Sequence, residues 1–251
     1  MSGPARLPAP GAAAQRRGLV ASALAAAGSW LLEPADAAPP APVADPACVR
    51  PVIAVFGLAR GCGVTVVSRA LAAELAARDD GAAAVHCDAR TAGLPLATQA
   101  AARLARALAD VPGASTRAVG RLCLVAAAER AVLADTARHL APLVLDAGST
   151  SLGGVPAALA DRVVLVGAPA VEPALASVAT ECLARLGHEP IVVLNRSVPE
   201  AEAGPPGWAG RAARVLPESR MGAQLALGGR EPRGELGRAI GELADLCEVP
   251  R

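Results

Sequence analysis

Gly57-Leu58-Ala59-Arg60-Gly61-Cys62-Gly63-Val64-Thr65 joins two segments of opposite character. Before it, Pro51–Gly57 (PVIAVFG) is a short apolar run, the pattern of a parallel strand buried on both faces. After it, Val67, Leu71 and Leu75 recur at i, i+4 and i+8, which predicts a helix over about Thr65–Arg78. A glycine-containing turn between a strand and a helix gathers backbone N–H groups and a helix N-terminus into an anion-binding concavity. Gly61 and Gly63 permit the backbone turns this requires, and Thr65 stands where a hydroxyl would reach Mg2+. A tight strand–helix turn without a ligand, capped by Thr65, accounts for the same residues and stays open as an alternative.

Outward from this turn the chain alternates. Ala82–Cys87 reads as a strand, Pro95–Asp110 as a helix, Val119–Ala126 as a strand and Ala127–Leu140 as a helix. Leu143–Leu145 runs into Asp146 at a strand end. Arg162–Val166 is a further strand, Val171–Leu186 a helix and Ile191–Leu194 a strand ending at Asn195. Ser197–Arg211 is a Pro/Gly-rich loop, Ala213–Leu216 a last short strand, and helices around Met221–Leu227 and Glu235–Cys247 close the chain. Such alternation predicts an α/β fold, a mostly parallel central sheet with helices on both faces.

Composition sets limits. Of 251 residues 53% are hydrophobic, yet there is no Tyr, one Phe and two Trp, so Ala, Val and Leu must fill the core. All 24 basic residues are Arg. Any chemistry that needs a lysine from this chain is thereby excluded. The net charge of +1 implies no strongly charged partner. The six Cys (48, 62, 87, 123, 182 and 247) form no C-x-x-C pair or Cys/His cluster, and read as small buried residues. Residues 1–49 are rich in Ala and Pro. Arg16-Arg17 before the apolar run 18–32 imitates a secretory signal, but the run is short for a membrane span. The reading adopted is a disordered tail with a short apolar helix, followed by one domain over 50–251.

The segments 57–78, 85–90, 143–148, 160–166, 191–196 and 215–217 together resemble the MinD/ParA family of P-loop ATPases. That family carries a deviant Walker A, K-G-G-x-G-K-[ST]. In the register set by TVVSRALAAELA, Ala59 falls at the signature lysine, Val64 at the Walker lysine and Thr65 at the Mg2+ residue. Val85–Arg90 resembles the D-x-D strand end, with Asp88 kept and Arg90 at the second acidic position. Leu143–Gly148 resembles the Walker B/switch II strand ending at Asp146. Ile191–Arg196 is similar to v-v-l-N-r, with Asn195 at the base-contacting position, and Val215–Pro217 to the v-l-P segment that lines the base. The resemblance implies a MinD/ParA-like P-loop NTPase fold binding ATP or ADP with Mg2+. Its nucleotide contacts would be Arg60, Gly61, Cys62, Gly63, Val64, Thr65, Val66, Asp88, Asp146, Asn195, Arg196 and Pro217, with Thr65 and Asp146 toward the metal.

Both lysines are missing. Removing a preorganised cation from a phosphoryl-transfer site is commonly a 10²–10³-fold effect, roughly 3–4 kcal/mol. The expectation is therefore nucleotide binding with little or no hydrolysis and no assignable catalytic residue. The relatives implied include the CpaE/TadZ branch, which has atypical P-loops. A cytoplasmic positioning or assembly switch, dimerising face to face over nucleotide, is the function this implies. A scaffold that keeps the fold and a partner surface without nucleotide (a pseudo-ATPase) is the alternative, and a membrane-tethered form through residues 18–32 a third. Arg60 offers a partial substitute for the lost cation. Arg211, Arg214, Arg220, Arg230, Arg233 and Arg238 leave nucleic acid contact open, although interleaved Glu218, Glu231 and Glu235 suit a solvated face better. Cys62 stands beside a helix N-terminus, where thiolate is favoured, but a small loop residue is the simpler reading. His86, His139 and His188 form no constellation, and the helix Glu235–Cys247 reads as docked on the core. The protein partner is not specified by the sequence.

Overall fold

The computed structural model describes residues 49–87, 96–149, 152, 154–197 and 207–248. The expected tail over 1–49, apart from Val49, together with Asp88, Arg90 and residues 198–206 of the Pro/Gly-rich loop, lies outside them.

Strand β1 (Val52–Gly57) is buried along its whole length. Its side chains alternate between faces as pleating requires. Ile53 and Val55 enter one core; Val52, Ala54 and Phe56 enter the other. β1 lies between β5 (Leu143–Gly148) and β6 (Arg162–Gly167), parallel to both. The remaining strands are β2 (Ala83–His86), β3 (Ser115–Val119), β4 (Leu122–Ala126), β7 (Ile191–Ser197) and β8 (Arg214–Pro217). The sheet order is β3-β4-β2-β5-β1-β6-β7-β8, and only β3 runs antiparallel to its neighbour.

Helices cover both faces. α1 (Val64–Arg78), α6 (Arg220–Leu227) and α7 (Gly234–Cys247) pack on the Ile53/Val55 side. α2 (Gln99–Ala109), α3 (Arg130–Arg138), α4 (Val155–Leu159) and α5 (Ala174–Arg185) pack on the other, where Trp208 is fully buried. The expected mostly parallel α/β sheet is thus what forms. The expected docking of the last helix is also found, through Leu236, Ile240, Leu243 and Cys247. Arg78 at the end of α1 reinforces it, bonding Asp245 at 2.7 Å, Glu248 at 2.9 Å and the Gly241 carbonyl at 2.7 Å.

Two elements depart from the sequence reading. The strand expected over Val119–Ala126 is shorter, β4 at Leu122–Ala126, and a strand not expected, β3, precedes it across a turn at Gly120-Arg121. Gly120 takes φ +55, which an extended strand does not, and the flanking apolar residues mask the turn. The short helix α4 falls in a stretch read as connection. Its five residues carry too little periodicity to show.

This topology has a consequence for ligands. From β1 the chain crosses through α1 to β2 on one side. From β5 it crosses through α4, on the opposite face, to β6 on the other side. The carboxyl ends of β1 and β5 therefore flank a crevice at a topological switch point, where open α/β sheets bind ligands.

Candidate functional site

The turn after β1 occupies that crevice. Leu58 is still tied to the sheet, its N–H donating to Val166 at 3.0 Å. Gly61 (φ +82) and Gly63 (φ +87) both adopt left-handed backbone. Gly63 is the N-cap of α1 and supplies no side-chain bond, so the first-turn amides of Val64, Thr65 and Val66 meet no side-chain acceptor. Thr65, expected in one reading as the cap, instead stands exposed inside the first turn. The amides and the positive end of the helix converge on an open cleft of about 290 Å³. It is lined by Ala59, Arg60, Gly61, Gly63, Val64, Thr65, Val66, Gly148, Ser149 and Arg196.

Val64 stands at the position matched to the Walker lysine. It is 7% exposed. Its Cγ2 methyl stands over Gly57, so close that a Cβ there would lie 2.7 Å from it. A hydrocarbon stub thus fills the inside of the loop where the resemblance implies an ammonium group. Cys62 is also buried (1% exposed), which favours its plain structural role.

A second cleft, of about 120 Å³, adjoins the first. Its lining includes Gly63, Val66, Asn195, Arg196, Pro217, Glu218 and Ser219. Asn195, at the end of β7, is 7% exposed, and its Nδ2 donates to the Cys62 carbonyl at 2.8 Å. This bond crosses from strand to loop. A methyl on Gly63 would collide with that amide, so only glycine fits beneath it. Ser219 caps α6, its Oγ accepting from the Gly222 N–H at 3.0 Å, and this sets the wall beyond Pro217.

Of the expected contacts, the structure gathers Arg60, Gly61, Gly63, Val64, Thr65, Val66 and Arg196 around the first cleft, and Asn195 and Pro217 around the second. Cys62 contributes its carbonyl to the bond that holds the loop. Asp146 lines neither cleft. Its Oδ1 accepts from the Gly148 N–H at 3.2 Å, as in a strand-end turn, and Gly148 and Ser149 reach the cleft. Asp88 falls outside the described residues. Among the described residues no group of three His, Cys, Asp or Glu side chains is placed to hold a metal.

Sequence reading missed Gly148, Ser149 and the Glu218-Ser219 wall. The run Asp146-Ala147-Gly148-Ser149 carried a signal, since a glycine directly after a strand-end acid marks a turn. Arg69 was also missed. This α1 residue is 3% exposed and donates to the Leu227 carbonyl at 3.0 Å, where the end of α6 favours a cation. Two of the arginines near the C-terminus have partners of their own. Arg214 pairs with Glu242 at 3.2 Å, and Arg211 donates to Ser177. Among the described residues no helix is long and apolar enough to cross a membrane.

No family model and no curated protein matches the sequence. Solved structures match its fold. A ParA family ATPase from Chlorobium tepidum aligns with TM-score 0.55 at 15% identity, over 78% of this chain and 98% of that one. The septum site-determining protein MinD of Pyrococcus horikoshii, complexed with Mg-ADP, aligns with TM-score 0.51 at 14% identity, over 78% and 95%. A Cyanothece McdA–ATP complex aligns with TM-score 0.53 at 12% identity, over 81% and 100%. The fold is that of the MinD/ParA-type P-loop ATPases.

Proposed function

We propose that this chain, built on the MinD/ParA fold, is a nucleotide-binding positioning or assembly switch with a degenerate phosphate loop and little or no ATP hydrolysis. One observation carries the proposal. At the carboxyl end of β1, a cleft lined by first-turn amides and two arginines adjoins a second cleft walled by Asn195 and Pro217. The first suits phosphates by charge and donors; the second suits a base or ribose. Similar folds in complex with Mg-ADP and with ATP support the same use of this crevice. ATP or ADP with Mg2+ is the ligand proposed, with Thr65 toward the metal. A face-to-face homodimer in the cytoplasm belongs to the same reading. A partner protein also belongs to it, because a MinD of Aquifex aeolicus with this fold is solved as a MinC:MinD complex.

Little or no hydrolysis follows from chemistry. Val64 supplies neither charge nor a side-chain hydrogen bond to a transferring phosphoryl group. Two observations favour a second reading, the nucleotide-free scaffold: the Val64 methyl packed on Gly57, and the Asp146 carboxylate turned to Gly148. Calorimetric titration of the full chain with ATP–Mg2+ and with ADP separates the two. Saturable binding without phosphate release is the expected result. Absence of binding at millimolar nucleotide would reject the switch and leave the scaffold.

A further inference from the structure

Arg196 is the one residue that lines both clefts and also carries a charge. Its position has a structural cause. The pairing of β7 with β8 runs Asn195↔Leu216 and then Ser197↔Pro217, so Arg196 is an extra residue with no partner in the ladder. It takes φ +61, uncommon for a residue with a side chain. Such bulges re-aim a side chain out of the strand's alternation. Here Asn195 and Ser197 are both buried, whereas Arg196 between them is exposed and turned over the loop. A Cβ on Gly63 would lie 3.8 Å from Arg196 Nε. The backbone beside it is held by the bond from Asn195 to the Cys62 carbonyl.

We infer that Arg196 supplies the phosphate-binding cation that the loop has lost. The inference rests on the nucleotide reading above and gives it a specific residue. Two features favour Arg196 over Arg60. The residues on either side of Arg196 are paired to β8, so its backbone is already held before it engages an anion. Arg60 lies in the loop itself beside Gly61, around which a Cβ would meet nothing within 4 Å. Among the described residues no ion pair engages Arg196, so its charge is uncommitted. A planar guanidinium offers two parallel donors to adjacent phosphate oxygens. Reaching in from the strand end, it would serve the inner phosphates, common to ADP and ATP, and bind both alike.

The test compares the full-length chain with Arg196→Gln, Arg196→Lys and Arg60→Gln, each titrated with ADP–Mg2+, ATP–Mg2+ and inorganic pyrophosphate. Melting temperatures of all four should agree closely, since both arginines are exposed. Arg196→Gln is expected to weaken ADP, ATP and pyrophosphate by a similar factor, about 10- to 100-fold. Arg196→Lys should recover part of the loss, and Arg60→Gln should weaken binding clearly less than Arg196→Gln does. ADP binding unchanged in Arg196→Gln would overturn the inference while sparing the nucleotide reading. So would a loss for ADP with none for pyrophosphate, which would place Arg196 on the base. Failure of the unaltered chain to bind any nucleotide would instead overturn the nucleotide reading itself.

Discussion

Gly63 and Gly229 share a left-handed backbone, and neither has room for a methyl group, yet what crowds them differs. At Gly229 the neighbours are main chain. The turn between β3 and β4 rests on the segment between α6 and α7, with Gly120 and Gly229 back to back and the Arg121 N–H donating to the Gly229 carbonyl at 2.8 Å. At Gly63 the neighbours are the ends of two side chains, Asn195 and Arg196. Close approach at the hairpin fastens one piece of backbone to another. Close approach at the loop sets two side chains over the start of α1. Glycine spacing alone does not separate these uses; the identity of the opposing atoms does.

The contrast is sharpest under substitution. Gly229→Ala sets a Cβ against the Val119 carbonyl, where nothing short of moving the hairpin makes room. With about 1–2 kcal/mol for the left-handed conformation and about 1–3 kcal/mol for overpacking, the loss should be about 2–5 kcal/mol in denaturant unfolding. A loss below about 1 kcal/mol would mean the hairpin is not fastened there.

Gly63→Ala should reverse the balance. The Asn195 amide can move only by giving up its bond to the Cys62 carbonyl, so stability should fall by about 2–3 kcal/mol, while ADP affinity falls at least about tenfold. Equal loss of ADP affinity in the two variants would erase the distinction between the regions.

The cysteines give the smallest effect, visible only at high pH. Burial pushes the Cys123 thiol, in the hairpin strand β4, and the Cys247 thiol, in α7, up to about 12 from 9.0. The folded state then holds protons that the unfolded chain gives up. Stability should therefore fall as pH rises from about 9 toward about 12. Cys123→Ala should flatten part of this slope, read from denaturant midpoints across that range.

Much of this was legible in the sequence, for reasons that can be named. Parallel strands buried on both faces must be continuous apolar runs, and PVIAVFG, LVLDAG and IVVLN stand out as such. The loop was found because glycine is the residue that tolerates its φ angles. The β3–β4 turn stayed hidden because Gly120-Arg121 sits inside an otherwise apolar stretch. The part played by Asn195 was hidden because its partner, the Cys62 carbonyl, is 133 residues away. The aim of Arg196 was hidden because a bulge depends on the neighbouring strand, which no local pattern encodes. The bond that the Asp146 carboxylate accepts from the Gly148 amide depends on the turn after β5, which the strand pattern alone does not describe.

The central claim is that the turn from Gly57 to Thr65 is a phosphate cradle without ammonium groups. Amide NMR spectra recorded while ADP–Mg2+ is added to the full-length chain test it most directly. The account predicts saturable shifts at Gly61, Gly63, Val64, Thr65, Ser149 and Arg196, with Gly120 and Gly229 unmoved. Unchanged loop amides at millimolar ADP, or shifts confined to another part of the molecule, would contradict it.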